Sequence, residues 1–224
     1  MKLTEQRWPV LVSSVRLGAD QYRVVRPARE IRHGYLYESY HGAQMTVDKA
    51  AAVHVAMAWA LAARSRNTVV YLPLRHAEPG HEWIGDERLL DLVLVQPSVA
   101  LAPSRWKEVR GRLGRGAAQT VQLPGTAWDS VDFDAHPRPY DRDFRDDVRW
   151  SLAADTLFLT GGTGAFRRTI GEVRTLIEDG FGYIAGNPGE HCCAEISIGR
   201  QRSVPGDQRY PHADLHIEYC TQHA

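Results

Sequence analysis

Residues 213–220, AlaAspLeuHisIleGluTyrCys, alternate strictly: Ala213, Leu215, Ile217 and Tyr219 take one side of an extended chain, and Asp214, His216, Glu218 and Cys220 the other. An upstream segment does the same, setting Ala194, Ile196 and Ile198 against Cys193, Glu195 and Ser197. Paired as a hairpin, the two strands would gather an imidazole, three carboxylates and two thiols on one sheet face. An imidazole with carboxylates on either side is a pairing used in general acid–base chemistry, because the anions orient the ring for proton transfer. His216, Glu195 and Asp214 are the candidate catalytic residues on that argument. A plain solvated sheet face shows the same alternation and is the competing reading.

A second stretch with chemical content is ThrGlyGlyThrGlyAlaPheArgArg, residues 160–168, which follows a short apolar run and opens a helical pattern. Glycines let a ligand approach the backbone closely, and free N–H groups at a helix start attract anions. Gly161, Gly162, Gly164, Arg167 and Arg168 are thus candidate anion- or cofactor-binding residues. The pattern departs from both phosphate fingerprints: no lysine followed by Ser or Thr closes the turn, and arginine stands where a dinucleotide turn has its last glycine. Phe166, Ile170, Val173 and Ile177 form an apolar stripe, and Gly180 ends it, so a structural turn before an amphipathic helix explains the stretch with an anion site as the alternative.

Histidine and cysteine are dense at the C-terminal end: His191, Cys192, Cys193, His212, His216 and Cys220. Residues four apart on one strand are about 13 Å apart and cannot share an ion, so no structural zinc is expected and no cofactor is identified. Asp132 and Asp134 have the alternation with which two carboxylates hold Mg²⁺, but they lie in an acidic, proline-bearing stretch that reads as a solvated, arginine-paired loop. Residues 104–116 carry five cations against one acid, yet Trp106, Val109 and Leu113 give that helix an apolar anchor. His33 and His41 bracket three tyrosines that either line a pocket or pack under a sheet. His54, inside an apolar helix, reads as a satisfied core histidine.

The elements that must position these residues follow from periodicity. Segments 10–17 and 22–26 read as an opening hairpin, and 47–64 as an alanine-rich helix capped by Thr46 and apolar nearly all round. Strands are expected at 68–74, 88–95, 119–123, 156–160 and 181–185, and near 193–199 and 213–220. Helices are expected at 103–113 and 164–179. The result is an α+β fold, a mixed and largely antiparallel sheet with about three principal helices. One domain over 1–224 is expected, with 124–150 as the one candidate subdivision.

The chain has 224 residues with 27 basic and 27 acidic side chains, a balance that argues against nucleic acid or an anionic membrane as partner. An apolar run at 50–63 is too short to cross a bilayer, the N-terminal residues lack a signal-like core, and three cysteines make a poor disulfide framework. A cytoplasmic location is the expectation. The absence of a complete catalytic motif points to a non-catalytic binding or interaction module of accessory or immunity type, whose partner is another protein or a small anionic ligand. The alternative is a small enzyme, a hydrolase or transferase acting on an anionic or phosphorylated small molecule, with His216 as acid/base and the 161–168 turn as anion holder.

Overall fold

A computed structural model describes residues 2–40, 42–77, 87–129, 147–187, 190–200 and 212–220. The opening hairpin pairs β1 (Arg7–Leu17) with β2 (Asp20–Pro27) in antiparallel register, and Gly18 takes a φ of 64° at the turn, where a side chain would be strained. A second hairpin, β3 (Gly34–Ser39) and β4 (Gly42–Val47), leads into α1 (Lys49–Arg64). Then come β5 (Thr68–Leu72), β6 (Asp91–Val95), α2 (Trp106–Gly111), β7 (Ala117–Gln122), β8 (Arg149–Leu152), β9 (Thr156–Thr160), α3 (Thr163–Glu178), α4 (Gly180–Gly186), β10 (Cys192–Arg200) and β11 (His212–Tyr219).

The fold is α+β with mixed, largely antiparallel pairing, and its strands divide into two sheets where one was expected. The first sheet runs β7-β1-β2-β5-β6-β9-β8 and the second β10-β11-β4-β3. Parallel pairing occurs at β2–β5, β6–β9 and β4–β11. Helices α1 and α3 pack on each other between the sheets: α1 touches β5 and β6 on one side and β4 on the other, and α3 touches β10. That position explains the composition of α1. A helix with a sheet on each side has little solvated face to fill with charge, and Val55, Met57, Trp59 and seven buried alanines satisfy both neighbours.

The far face of the first sheet carries α2. Trp106 is fully buried there, edge-on to Tyr71 and Phe158, and donates its indole N–H to Thr156 Oγ1 at 3.0 Å. Arg110 reaches the buried Asp91 carboxylate at 2.9 Å, which also accepts from Tyr71 Oη at 2.9 Å. Arg105 pairs with Asp20 and Arg112 with Glu108. Those cations of the basic helix are thus spent on the protein itself. The outer face of the second sheet is left for the residues singled out in the sequence.

Three expectations are corrected. Asp48, not Thr46, caps α1: its carboxylate accepts from Ala51 N at 2.7 Å, a stronger acceptor placed one residue before the first helical turn. Residues 181–185 are helical, not a strand. Their aromatic and branched side chains suggest a strand, but continuing as α4 satisfies the backbone locally, with Tyr183 N donating to Asp179 O at 2.9 Å. Gly180 accordingly joins α3 to α4 rather than ending the helical path, and a Cβ there would lie 3.2 Å from Cys192 Sγ. The acidic stretch 124–150 contributes a short 3₁₀ turn, Gly125–Trp128, that buries Trp128 in the helix layer, and then β8; residues 130–146, with Asp132 and Asp134, lie outside the described residues. His54 is satisfied as expected, accepting at Nδ1 from Trp8 Nε1 at 2.8 Å. Among the described residues no helix is long and apolar enough to cross a membrane.

Trp59 has no exposed surface, stands edge-on to Phe166 with ring centroids 5.6 Å apart, and donates to Thr169 Oγ1 at 2.9 Å. Trp59→Ala is expected to cost about 3–5 kcal/mol, the range for deleting a buried aromatic. Denaturant melts check this, and a loss below about 1 kcal/mol would contradict a central position for α1.

Candidate functional site: the groove between α3 and the edge of the small sheet

Strands β10 and β11 form the hairpin that the alternation implied. Glu195 stands opposite His216, Cys193 opposite Glu218 and Ser197 opposite Asp214. Beyond β11 the same rows continue across the sheet, His216 beside Gln44 and then Tyr37, and Glu218 beside Thr46 and then Tyr35. The apolar residues of both strands, Ala194, Ile196, Ile198, Ala213, Leu215 and Ile217, are buried against the helix layer, and that burial fixes the register: a slip by one residue would put charges into the core. The outward face is therefore dictated by the inward one.

His216 Nδ1 and Glu195 Oε1 are in direct hydrogen-bond contact. The imidazole is 22% exposed and the carboxylate 59%, so the pair is open to solutes. Because Nδ1 is committed to the carboxylate, Nε2 is the nitrogen left for other chemistry. Tyr35 and Tyr37 stack on the same face, 6.4 Å between centroids and 12° between planes. Burial, with the nearby charges of Tyr35, Glu87 and Glu218, pushes the Tyr37 hydroxyl above its ordinary pKa.

β10 is an edge strand, and α3 packs along it. Between them lies a groove of about 520 Å³, lined by Arg168, Glu172 and Thr175 from α3 and by Cys193 and Glu195 from β10. These α3 residues fall at i, i+4 and i+7, the stripe beside the buried one of Phe166, Ile170, Val173 and Ile177. Glu172 has its carboxyl pushed up to about 7, first by partial removal from water and then by the negative charges of Glu195 and Asp214. Its side chain keeps considerable contact with solvent, so the crowding of like charges is a cause as real as burial.

One further side chain meets Cys193 and His216 on the outward sheet face. His191 precedes β10, its ring centroid 6.1 Å from that of His216, and one ligand atom from each of His191, Cys193 and His216 lies within 4.8 Å of the others. Spacing along a strand had argued against a shared ion. That argument covers residues on one strand and omits the diagonal neighbour across the hairpin, which is how His216 comes to Cys193.

The predicted site residues are divided by the structure. His216, Glu195 and Asp214 share the outward sheet face, and Arg168 joins Glu195 in the groove. Gly161, Gly162, Gly164 and Arg167 do not line it. Gly161 is buried, and a Cβ there would lie 3.0 Å from Ala165 Cβ and 3.3 Å from Val148 Cγ2, so close packing against the first turn of α3 and the residue before β8 accounts for that glycine. Gly162 is the N-cap residue of α3, and Thr163 Oγ1 accepts from Gln96 Nε2 at 3.3 Å. Sequence reasoning missed Glu172, and it named His191 only to set it aside as a metal ligand. The signal for Glu172 was its place four residues after Arg168, and that for His191 its place two residues before Cys193. No known protein family, curated protein or solved structure matches the chain. The site is read from its own geometry.

A carboxyl whose folded-state pKa stands above its unfolded value holds its proton preferentially in the folded state, so its stabilising contribution is present at low pH and is lost as pH rises. For Glu172 the loss falls between 4.5, its ordinary value, and about 7. The charges facing it are Arg168 on its own helix, Glu195 on β10 and Asp214 on β11. Glu172→Gln is expected to flatten the fall in stability over that window. Denaturant melts at its two ends check this, and the same fall in both proteins would contradict the crowding.

Proposed function

We propose that the chain is a small enzyme, a hydrolase or transferase, whose reaction takes place in the groove between α3 and β10 on a small molecule bearing an anionic group. The observation that carries this reading is the convergence of Arg168 and Glu172, from one helix, on Glu195 of β10, which in turn holds His216 of β11. Each supplies a different capacity. Arg168 is a guanidinium for an anionic group of the substrate. Glu172 offers a proton near neutrality. Beside it the imidazole, its Nδ1 held by a carboxylate, presents Nε2 as the place where a water or hydroxyl is activated, an arrangement in which the carboxylate orients the ring. Groups with opposed protonation demands in one groove support acid–base chemistry better than they support a binding surface.

The groove's volume falls within the range of about 300–1,000 Å³ typical of small-molecule sites, which favours a metabolite-sized substrate over a polymer. Glu195, Asp214 and Glu172 press negative charge on the same space. Retaining the Glu172 proton and offsetting a second charge with Arg168 are what make an anionic group acceptable there, and binding should be favoured at slightly acid pH.

Inorganic phosphate and a simple phosphomonoester test this at pH 6, with chloride matching the ionic strength. A ligand that binds the folded state alone at about 100 times its Kd adds about 2.7 kcal/mol, so the melting temperature should rise by several degrees. Arg168→Ala should abolish the rise, and Arg167→Ala should leave it. His216→Ala should keep the rise while losing any turnover of the ester. If neither anion shifts the melting temperature, the enzyme reading fails and a non-catalytic module presenting its outer sheet face to a partner takes its place.

A further inference from the structure

We propose that His191, Cys193 and His216 hold a divalent transition-metal ion, zinc by the chemistry of the donors, on the outward face of the small sheet where Cys193 borders the groove. The proposal rests on reading this groove as a reaction site, and it specifies what acts at His216 Nε2: an ion bound there, in place of the bare ring. One ligand atom from each residue already lies within 4.8 Å of the other two. Bonds of about 2.0–2.3 Å in a tetrahedron place ligand atoms roughly 3.3–3.8 Å apart, so closure takes about 1 Å of side-chain adjustment. His191 is exposed and lies just before β10, where rotation of its side chain is least restrained.

The fold brings these donors together by two regularities of a sheet. His191 and Cys193 are two residues apart and share a face, and His216 is the diagonal neighbour of Cys193, because Cys193 faces Glu218 and His216 faces Glu195. Cys192, one residue away, belongs to the other face, where its sulfur lies near Gly180, and among the described residues Cys220 is not part of the group. Two imidazoles and a thiolate suit zinc and cobalt and exclude calcium and magnesium, which take oxygen ligands.

Two features around the donors fit a cation. Glu195 holds His216 Nδ1, leaving Nε2 for the ion, which is the carboxylate–histidine arrangement that fixes ligand orientation at metal centres; Glu195 is a positioning residue in this account. Glu172 feels the charges of Glu195 and Asp214, with Glu218 opposite Cys193, and a divalent ion offsets that repulsion. Three protein ligands leave a fourth position open, the pattern of catalytic rather than structural zinc, and a water bound there would be activated near neutral pH.

The test uses the full untagged chain, stripped with a chelator and titrated with Co²⁺. One equivalent is expected to bind and to give a near-ultraviolet thiolate-to-cobalt charge-transfer band, which Zn²⁺ then bleaches by displacement. Cys193→Ser should lose the band, and Cys192→Ser and Cys220→Ser should keep it. His191→Ala and His216→Ala should each weaken Co²⁺ binding at least ~10-fold, and Glu195→Gln by about 10–100-fold, the usual effect of removing a partner that orients a ligand. Circular dichroism of each stripped variant shows whether it is folded. A stripped wild-type chain that gives no band, or a band that survives Cys193→Ser or disappears with Cys220→Ser, overturns the assignment. The readout is ion binding, not turnover, so such a failure leaves the phosphate shift and the enzyme reading standing, and loss of the phosphate shift leaves the metal assignment standing.

Discussion

The contact between Trp59 of α1 and the first two turns of α3 sets the geometry on which the site depends. The indole lies edge-on to Phe166 and donates to Thr169 Oγ1, with the Phe166 carbonyl also within reach at 3.2 Å. A ring this large, wholly buried and hydrogen-bonded to one side chain of the facing helix, allows one depth and one rotation of α3 relative to α1. Rotation of α3 decides which of its stripes meets β10. With Phe166, Ile170, Val173 and Ile177 turned into the core, Arg168 and Glu172 come to the groove, and a turn of one residue position would bring other side chains to Glu195.

The second determinant is the burial of the inner face of the small sheet. Ile196, Ile198, Leu215 and Ile217 have no exposed surface, and their burial forces Cys193, Glu195, Asp214, His216 and Glu218 outward together. Charges of one sign so gathered repel, and Glu172, brought up from the helix, adds to them. The carboxyl of Glu172 is raised by its partial burial first and by this repulsion second. Such crowding is costly for a purely structural surface and is what a site that exchanges protons or holds a cation would maintain.

Much of this was legible in the sequence. Period-two alternation at 193–199 and 213–220 gave the two strands and their outward residues, because a sheet with one buried face writes its register into the chain. The near absence of polar residues in α1 announced burial, though not that a sheet lay on each side of it. The division into two sheets was not legible, since the parallel pairings β2–β5, β6–β9 and β4–β11 join segments remote in sequence. Nor was the convergence at the groove, which depends on the rotation of α3 and on a diagonal contact between strands. At the glycine turn, where a structural turn was the first reading and an anion site the alternative, Gly161 has a packing role, because a missing Cβ serves a close approach of Ala165 and Val148 as well as that of a phosphate. Residues 181–185 were misread because composition favours a strand where the local hydrogen bonds continue a helix.

The account makes the groove between α3 and β10 the place where an anionic ligand binds. The most direct measurement is a map of backbone amide shifts on the nitrogen-15-labelled chain as inorganic phosphate is added at pH 6. The account predicts that the largest changes fall on Arg168 to Thr175 of α3 and on Cys193 to Glu195 of β10, with His216 across the hairpin. Changes confined to Gly161, Gly162 and Gly164 at the start of α3, or scattered over the large sheet, would contradict it.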